Sequence, residues 1–163
     1  MSEQEKKLHR VCFTGHRPDK LVGCEDKARE ALSKAIDNVI SNGFCTFITG
    51  MCPGIDVIAG EIVVEKRKLN PDIHLIAAMP YPRFAFNWDG WGDRVQKLMR
   101  SADYVCNVST TYTGRGVFQK RNVWMVDHSS LLVAYWNGTP GGTKNTVDYA
   151  QKANLHMVNA YVN

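Results

Sequence analysis

A glycine-rich turn, GTPGGTKNT at residues 138–146, carries the clearest chemical signal in the sequence. The residues that follow it, VDYAQKAN, have the spacing of a helix. Glycine lets a ligand approach the backbone, and the start of a helix offers free N–H groups and the positive end of the helix dipole. Gly141, Gly142 and Thr143 are therefore predicted to cradle a phosphate. Thr143 has an alternative role as the N-cap of the helix.

A second turn of the same kind, TGMCPGID at residues 49–56, also leads into a predicted helix. Gly50 and Gly54 give this turn a permissive backbone. Asp56 has two interpretations. In the first, its negative charge is stabilised by the positive end of its own helix. In the second, it has a role in ligand binding, such as holding a ribose hydroxyl or shaping the loop.

A third turn, TGHRPDK at residues 14–20, supplies polar groups close to the start of the chain. Thr14, Gly15, His16 and Arg17 are predicted to line the same site. His16 is open to two interpretations, as a buried structural histidine or as a direct ligand contact.

Two further loops, MPYPRF at residues 79–84 and STTYTGRGVFQKR at residues 109–121, contribute Pro80 and Arg115 to the predicted site. Cationic side chains recur along these loops and would neutralise phosphates. The cations of the predicted rim are Arg17, Arg83, Arg115, Lys120, Arg121 and Lys144. The pattern predicts a cleft for an anionic ligand.

The elements that must position these residues alternate along the chain. Short apolar runs predict strands at residues 11–15, 44–50, 73–80, 104–109, 131–138 and 156–162. Stretches with helical spacing separate them, which predicts an α/β, Rossmann-like three-layer sandwich with a mostly parallel sheet. Ligands of such sheets bind beyond the carboxyl ends of the strands, where all of these loops begin.

Composition bounds the class of protein. The chain has 163 residues, of which 44% are hydrophobic and 22% charged, which predicts one globular domain over residues 1–163. No apolar run is long enough to span a membrane and the polar start has no signal region, so we expect a cytoplasmic protein without membrane association. The net charge of +4 suits an anionic ligand or weak nucleic-acid affinity. The 5 cysteines lack the paired spacing of a zinc site, and we expect no metal and no cofactor.

The segment YPRFAFNWDGWGD at residues 81–93 is the least regular part of the sequence. It precedes a helical period and has the character of a lid or an irregular loop. Trp88 and Trp91 either cover the core or form an aromatic wall on which a base stacks.

Several of these motifs resemble a known group of proteins. The segments ITGMCPGIDVIAGEIV and GTPGGTKNTVDYAQ resemble motifs of the DNA-processing protein A family and of the SLOG superfamily, which includes the LOG phosphoribohydrolases. With FTGHRP and FNW, the sequence is most similar to the YpsA-like branch, small proteins of bacteria and phages. The resemblance implies a Rossmann-like domain that binds a nucleotide or nucleotide-derived ligand in a sensing or regulatory role, and a homo-oligomer. The matching positions are Gly50, Gly54, Asp56, Gly141, Gly142 and Thr143.

The resemblance leaves two alternative functions. The first is a nucleoside-monophosphate phosphoribohydrolase of the LOG type, whose motif ends in a glutamate; Asp148 stands at the glutamate position, and Lys144 replaces a motif glycine. Asp148 and Asp56 are then the candidate catalytic carboxylates. The second alternative is binding of single-stranded DNA, with a salt dependence set by counterion release.

Overall fold

The computed structural model describes residues 1–163 and has one six-stranded sheet in the order β4-β3-β2-β1-β5-β6. All paired neighbours are parallel. The strands are β1 (Arg10–Gly15), β2 (Thr46–Thr49), β3 (His74–Met79), β4 (Tyr104–Asn107), β5 (Leu131–Tyr135) and β6 (His156–Asn159). Each lies within or overlaps an apolar run that predicted it, which confirms the mostly parallel Rossmann-like sheet.

Five of the helices correspond to predicted ones, and one short helix at the start was not predicted. The helices are α1 (Glu3–Lys7), α2 (Glu25–Ser41), α3 (Ile55–Leu69), α4 (Gly92–Ser101), α5 (Gly116–Asp127) and α6 (Gly142–Lys152). The unpredicted α1 is held by a capping box, in which Ser2 and Glu5 satisfy each other's backbone N–H groups. No helix is long and apolar enough to cross a membrane.

Two hydrophobic cores separate the layers. On one face of the sheet α2, α3 and α4 pack over a larger core, in which the rings of Phe13 and Phe47 stack with centroids 5.8 Å apart. On the other face α5 and α6 cover a smaller core that includes Met125 and Val147. Because both faces are covered, the central strands are apolar on both sides, as their sequences predicted.

The strand order creates a switch point between β1 and β5. From β1 the chain builds β2, β3 and β4 outward on one side, and it then returns to place β5 on the other side of β1. Gly15, the last residue of β1, pairs with Tyr135, the last residue of β5. The loops that leave these two strands diverge to opposite faces, which opens a crevice at this point of the sheet.

Candidate functional site

A polar cleft of about 380 Å³ lies beyond the carboxyl ends of the strands at the switch point. Segments that follow β1, β2 and β5 line it, together with one face of α5. The lining residues are Thr14, Gly15, His16, Arg17, Asp19, Lys20, Cys52, Asp56, Phe118, Arg121, Asn122, Thr139, Pro140, Gly141, Gly142 and Thr143. Three turns that are far apart in the sequence therefore meet in one place.

Most of the predicted site residues line this cleft, and four do not. Those in the lining are Thr14, Gly15, His16, Arg17, Asp56, Gly141, Gly142 and Thr143. The predicted residues outside the lining are Gly50, Gly54, Pro80 and Arg115. Gly50 and Gly54 pack directly against residues of the lining.

The start of α6 presents unpaired donors to the cleft. Gly141 is the N-cap, with φ 140° and ψ −164°, a conformation that a residue with a side chain adopts only under strain. The backbone N–H groups of Gly142, Thr143 and Lys144 make no hydrogen bond within the protein. Thr143 is the second helical residue, so its alternative role as the N-cap is wrong. Free N–H groups and the helix dipole together make this end of α6 attractive to an anion.

The start of α3 differs because the protein fills it with its own groups. Ile55 N–H donates to the His16 carbonyl at 3.1 Å, and Val57 N–H donates to the Cys52 carbonyl at 3.3 Å. The Asp56 carboxylate accepts from Cys52 N–H at 3.3 Å. Gly54, at φ 100°, allows this closure, since a Cβ there would lie 2.5 Å from the His16 carbonyl oxygen. The turn after β2 thus shapes the wall of the cleft.

Asp56 and Arg121 are two buried groups of opposite charge that both line the cleft. Burial raises the pKa of Asp56 to about 6, and the opposing influences come from Arg121, the Cys52 N–H and Arg17. Burial lowers the pKa of Arg121, while Asp56 opposes that shift. Arg121 donates to the Gly50 carbonyl and, from Nε, to Asn122 Oδ1 at 2.8 Å. Its other terminal nitrogen, Nη2, has no hydrogen-bond partner in the protein.

His16 links the loops that follow β1 and β5. Its Nε2 accepts a hydrogen bond from Asn137 N–H at 2.9 Å, which requires the neutral ring. Burial is the main cause that lowers the pKa of His16, which favours the same neutral form. Nearby, Lys20 Nζ donates to Thr139 Oγ1 at 2.8 Å. These contacts tie the two sides of the cleft together.

Sequence reasoning missed the contribution of α5. Phe118, Arg121 and Asn122 are spaced at i, i+3 and i+4, so they share one helical face, and that face lines the cleft. Arg121 was expected only as a rim cation, whereas the structure buries it at the base of the cleft. The helical spacing of these three residues was the signal that could have found them.

Comparison with known proteins identifies the family of this chain. The YpsA family model, described as the YspA SLOG family, matches residues 11–162. The chain belongs to the YpsA SLOG family. Relatives include the SPbeta prophage-derived protein YoqJ of Bacillus subtilis, which is 30% identical in an alignment 145 residues long that covers 79% of this chain and 83% of YoqJ. A UPF0398 protein of Ligilactobacillus salivarius is 31% identical in an alignment 144 residues long that covers 83% of this chain and 78% of the relative.

Solved structures share the fold of this SLOG protein. DNA processing protein A (DprA) from Streptococcus pneumoniae has a TM-score of 0.69 at 16% identity, covering 93% of this chain but only 50% of DprA. DprA from Helicobacter pylori has a TM-score of 0.65 at 16% identity, covering 95% of this chain and 66% of that one. The structure of TM1055 has a TM-score of 0.62 at 11% identity, covering 92% and 72%. At these identities the likeness concerns the fold, and the chain spans about half of S. pneumoniae DprA.

Other predicted residues of the SLOG protein lie away from the cleft. Pro80 is buried after β3, where its carbonyl accepts from Ser109 N–H at 3.1 Å. Arg115 is exposed as the N-cap of α5. Asp148, the candidate catalytic carboxylate, is half exposed and accepts a hydrogen bond from Lys144 Nζ at 2.6 Å. Asp56 is thus the one of the two candidate carboxylates that lines the cleft. No group of three or more His, Cys, Asp or Glu side chains is arranged to hold a metal ion.

Proposed function

We propose that this SLOG protein binds a nucleotide or a nucleotide-derived molecule through its phosphate and acts as a sensor or regulatory protein. One observation carries the proposal. The unpaired N–H groups at the start of α6 and the unpaired Nη2 of the buried Arg121 belong to residues that line or adjoin the same cleft. Backbone donors at a helix start and a guanidinium are the two groups that proteins most often use to hold a phosphate.

The rest of the cleft suits the same ligand class. Arg17 and Lys20 add positive charge at its rim, and its volume of about 380 Å³ falls in the range of small-molecule sites. Asp56 and Thr14 supply oxygen atoms to which sugar hydroxyls can hydrogen-bond. The unpaired donors select a phosphate, and the neighbouring oxygens select the sugar attached to it.

The experiment compares two substitutions at Gly142. Proline is well tolerated at the first position of a helix, and Gly142→Pro removes one of the N–H donors. Gly142→Ala retains the donor and is the matched control, since a Cβ at this glycine meets nothing within 4 Å. Thermal shifts are measured for wild type and both variants with nucleoside monophosphates, nucleoside diphosphates, ADP-ribose and inorganic phosphate.

We expect at least one member of the panel to raise the melting temperature of wild type, because a ligand that binds only the folded state stabilises it. Gly142→Pro should lose most of that shift, and Gly142→Ala should retain more of it. A folded wild-type protein that responds to no phosphate-bearing member of the panel would contradict the proposal.

A second candidate function is binding of single-stranded DNA. The observation in its favour is the fold shared with H. pylori DprA, whose structure was described for its single-stranded DNA binding mode. The test is a fluorescence-polarisation titration of a labelled oligonucleotide at two salt concentrations. Binding through phosphates must weaken steeply as salt rises, and absence of any polarisation change at low salt would exclude this candidate.

A further inference from the structure

A cluster of five aromatic side chains adjoins the cleft. The loop after β3 contributes Tyr81, Phe84 and Trp88, the loop before α5 contributes Tyr112, and α5 itself contributes Phe118. Neighbouring rings meet edge-on or tilted, with centroids 5.5 to 6.3 Å apart. This aromatic cluster therefore joins the chain segments that follow β3 and β4.

Phe118 and Arg17 connect the aromatic cluster to the cleft. Both residues line the cleft, and Phe118 is also a member of the cluster. The Arg17 guanidinium carbon lies 6.0 Å from the centre of the Phe118 ring and 5.9 Å from the centre of the Trp88 ring. Trp88 therefore does not line the cleft itself. The Arg17 guanidinium lies between the Trp88 ring and the ring of Phe118, which does line it.

The exposed members of the cluster face solvent beside a polar site. Trp88 is 37% exposed and Tyr112 is 52% exposed. Trp91, in the same loop, differs, because Arg94 covers its ring at 4.2 Å and Glu61 in turn holds Arg94 at 2.7 Å. The two tryptophans therefore differ: Arg94 covers the Trp91 ring closely, whereas Trp88 is partly exposed and has the Arg17 guanidinium carbon 5.9 Å from its ring centre.

The backbone of this loop has two residues in a strained conformation. Arg83 and Ala85 have φ of 66° and 62°, in the left-handed region that residues with a side chain rarely adopt. Between them, Phe84 is buried and anchors the loop, with its ring centroid 6.1 Å from that of Trp88. Strain of this kind clusters at ligand sites, where the surrounding structure maintains it.

We propose that the aromatic cluster is the base subsite of the cleft, where the nucleobase of a bound nucleotide stacks on Trp88 and on the guanidinium plane of Arg17. The inference rests on the proposed function, because the phosphate of the same nucleotide occupies the start of α6. Every nucleobase has a flat face, and indole and guanidinium groups are its usual stacking partners in proteins. The subsite thus distinguishes nucleotides from sugar phosphates that lack a base.

The experiment compares two probes by isothermal titration calorimetry, adenosine monophosphate and ribose 5-phosphate. They share the sugar and the phosphate and differ in the base. Wild type is compared with Trp88→Leu, which removes the stacking surface, with Trp88→Phe, which retains a smaller one, and with Tyr112→Ala. Tyr104→Leu is the matched control, because Tyr104 is a 60% exposed aromatic residue on β4 that belongs to no aromatic pair in the protein. Thermal unfolding without ligand checks that each variant is folded.

We expect wild type to bind adenosine monophosphate at least about tenfold more tightly than ribose 5-phosphate, as stacking of one base on an aromatic ring predicts. Trp88→Leu should bring the two affinities together without weakening the binding of ribose 5-phosphate. Tyr112→Ala should lower the ratio of the two affinities in part. Trp88→Phe and Tyr104→Leu should retain that ratio. Equal affinities in wild type, or a ratio that Trp88→Leu and Tyr112→Ala leave unchanged, would overturn the base subsite alone. If neither probe binds, the base subsite is overturned, and the thermal-shift panel separately decides whether the proposed function fails as well.

Discussion

Asp56 and Arg121 meet at Gly50, where an added Cβ would lie 2.7 Å from Asp56 Oδ2 and 3.0 Å from the Arg121 guanidinium carbon. Both side chains are buried, and Arg121 directs its hydrogen bonds to Gly50 and Asn122. The glycine therefore makes room for two opposite charges at the base of the cleft.

Gly50→Ala should destabilise the protein, because the new methyl group must displace Asp56 or Arg121 from their packed positions. Overpacking of this kind costs about 1–3 kcal/mol of the free energy of unfolding. Denaturant unfolding measures it, with Gly116→Ala as the control, since a Cβ at Gly116 meets nothing within 4 Å. Equal stability of the two variants would show that the contact at Gly50 is not tight.

Stability should depend on pH through Asp56. Its pKa is about 6 in the folded protein against an ordinary value of 3.8, so the folded state holds this proton more tightly than the unfolded state. The resulting stabilisation is fully present below pH 3.8 and is lost as the pH rises through about 6. From pH 4 to pH 7, wild type should lose up to about 3 kcal/mol relative to Asp56→Asn. Denaturant unfolding across this range measures the difference, and parallel curves for the two proteins would contradict the prediction.

Removal of one buried charge should cost more than removal of both. Arg121→Met leaves the buried Asp56 carboxylate without its nearby cation and the Gly50 carbonyl without its donor, and we expect a loss of about 1–3 kcal/mol in the free energy of unfolding. In the double variant Arg121→Met/Asp56→Asn the coupling should restore about 0.5–3 kcal/mol. The four proteins of this double-mutant cycle are compared by denaturant unfolding at pH 7. Strictly additive effects would mean that the two charges do not interact.

Asp148→Asn should change little. The Lys144–Asp148 pair is half exposed at i, i+4 spacing, so its loss should change the free energy of unfolding by no more than about 0.5 kcal/mol. Calorimetry with adenosine monophosphate should give the same affinity as wild type, since Asp148 does not line the cleft. Asp56→Asn provides the comparison within the cleft. A large loss of affinity in Asp148→Asn alone would place the ligand differently from our proposal.

The strands could be predicted from the sequence because each central strand is buried on both faces and reads as a continuous apolar run. The lateral order of the strands could not, because it depends on contacts between residues that are distant along the chain. This explains the outcome at Pro80 and Arg115. Pro80 follows β3 and Arg115 follows β4, and β2 separates both strands from the switch point at β1. A residue that follows a strand reaches the cleft only when its strand is close to that point or its loop is long.

The part of the candidate site that consists of backbone N–H groups could be predicted from the sequence. Gly141 and Gly142 precede a helix, and that local pattern was enough to indicate a helix start with free donors. The burial of Arg121 was not predictable from its neighbours in the sequence, because it depends on how α5 packs over the sheet. The Asp56 carboxylate shapes its turn through the Cys52 N–H and lines the cleft, and its contact with a ligand stays a prediction.

The starts of α3 and α6 differ in the N–H groups that they leave unpaired, and this difference makes the two sides of the cleft unequal. At α3 the N–H groups of Ile55 and Val57 already donate to carbonyls of the protein, whereas at α6 the first N–H groups have no partner. We therefore expect an elongated ligand with one anionic end to place that end at the start of α6, because the reversed pose would bring two negative groups together at Asp56.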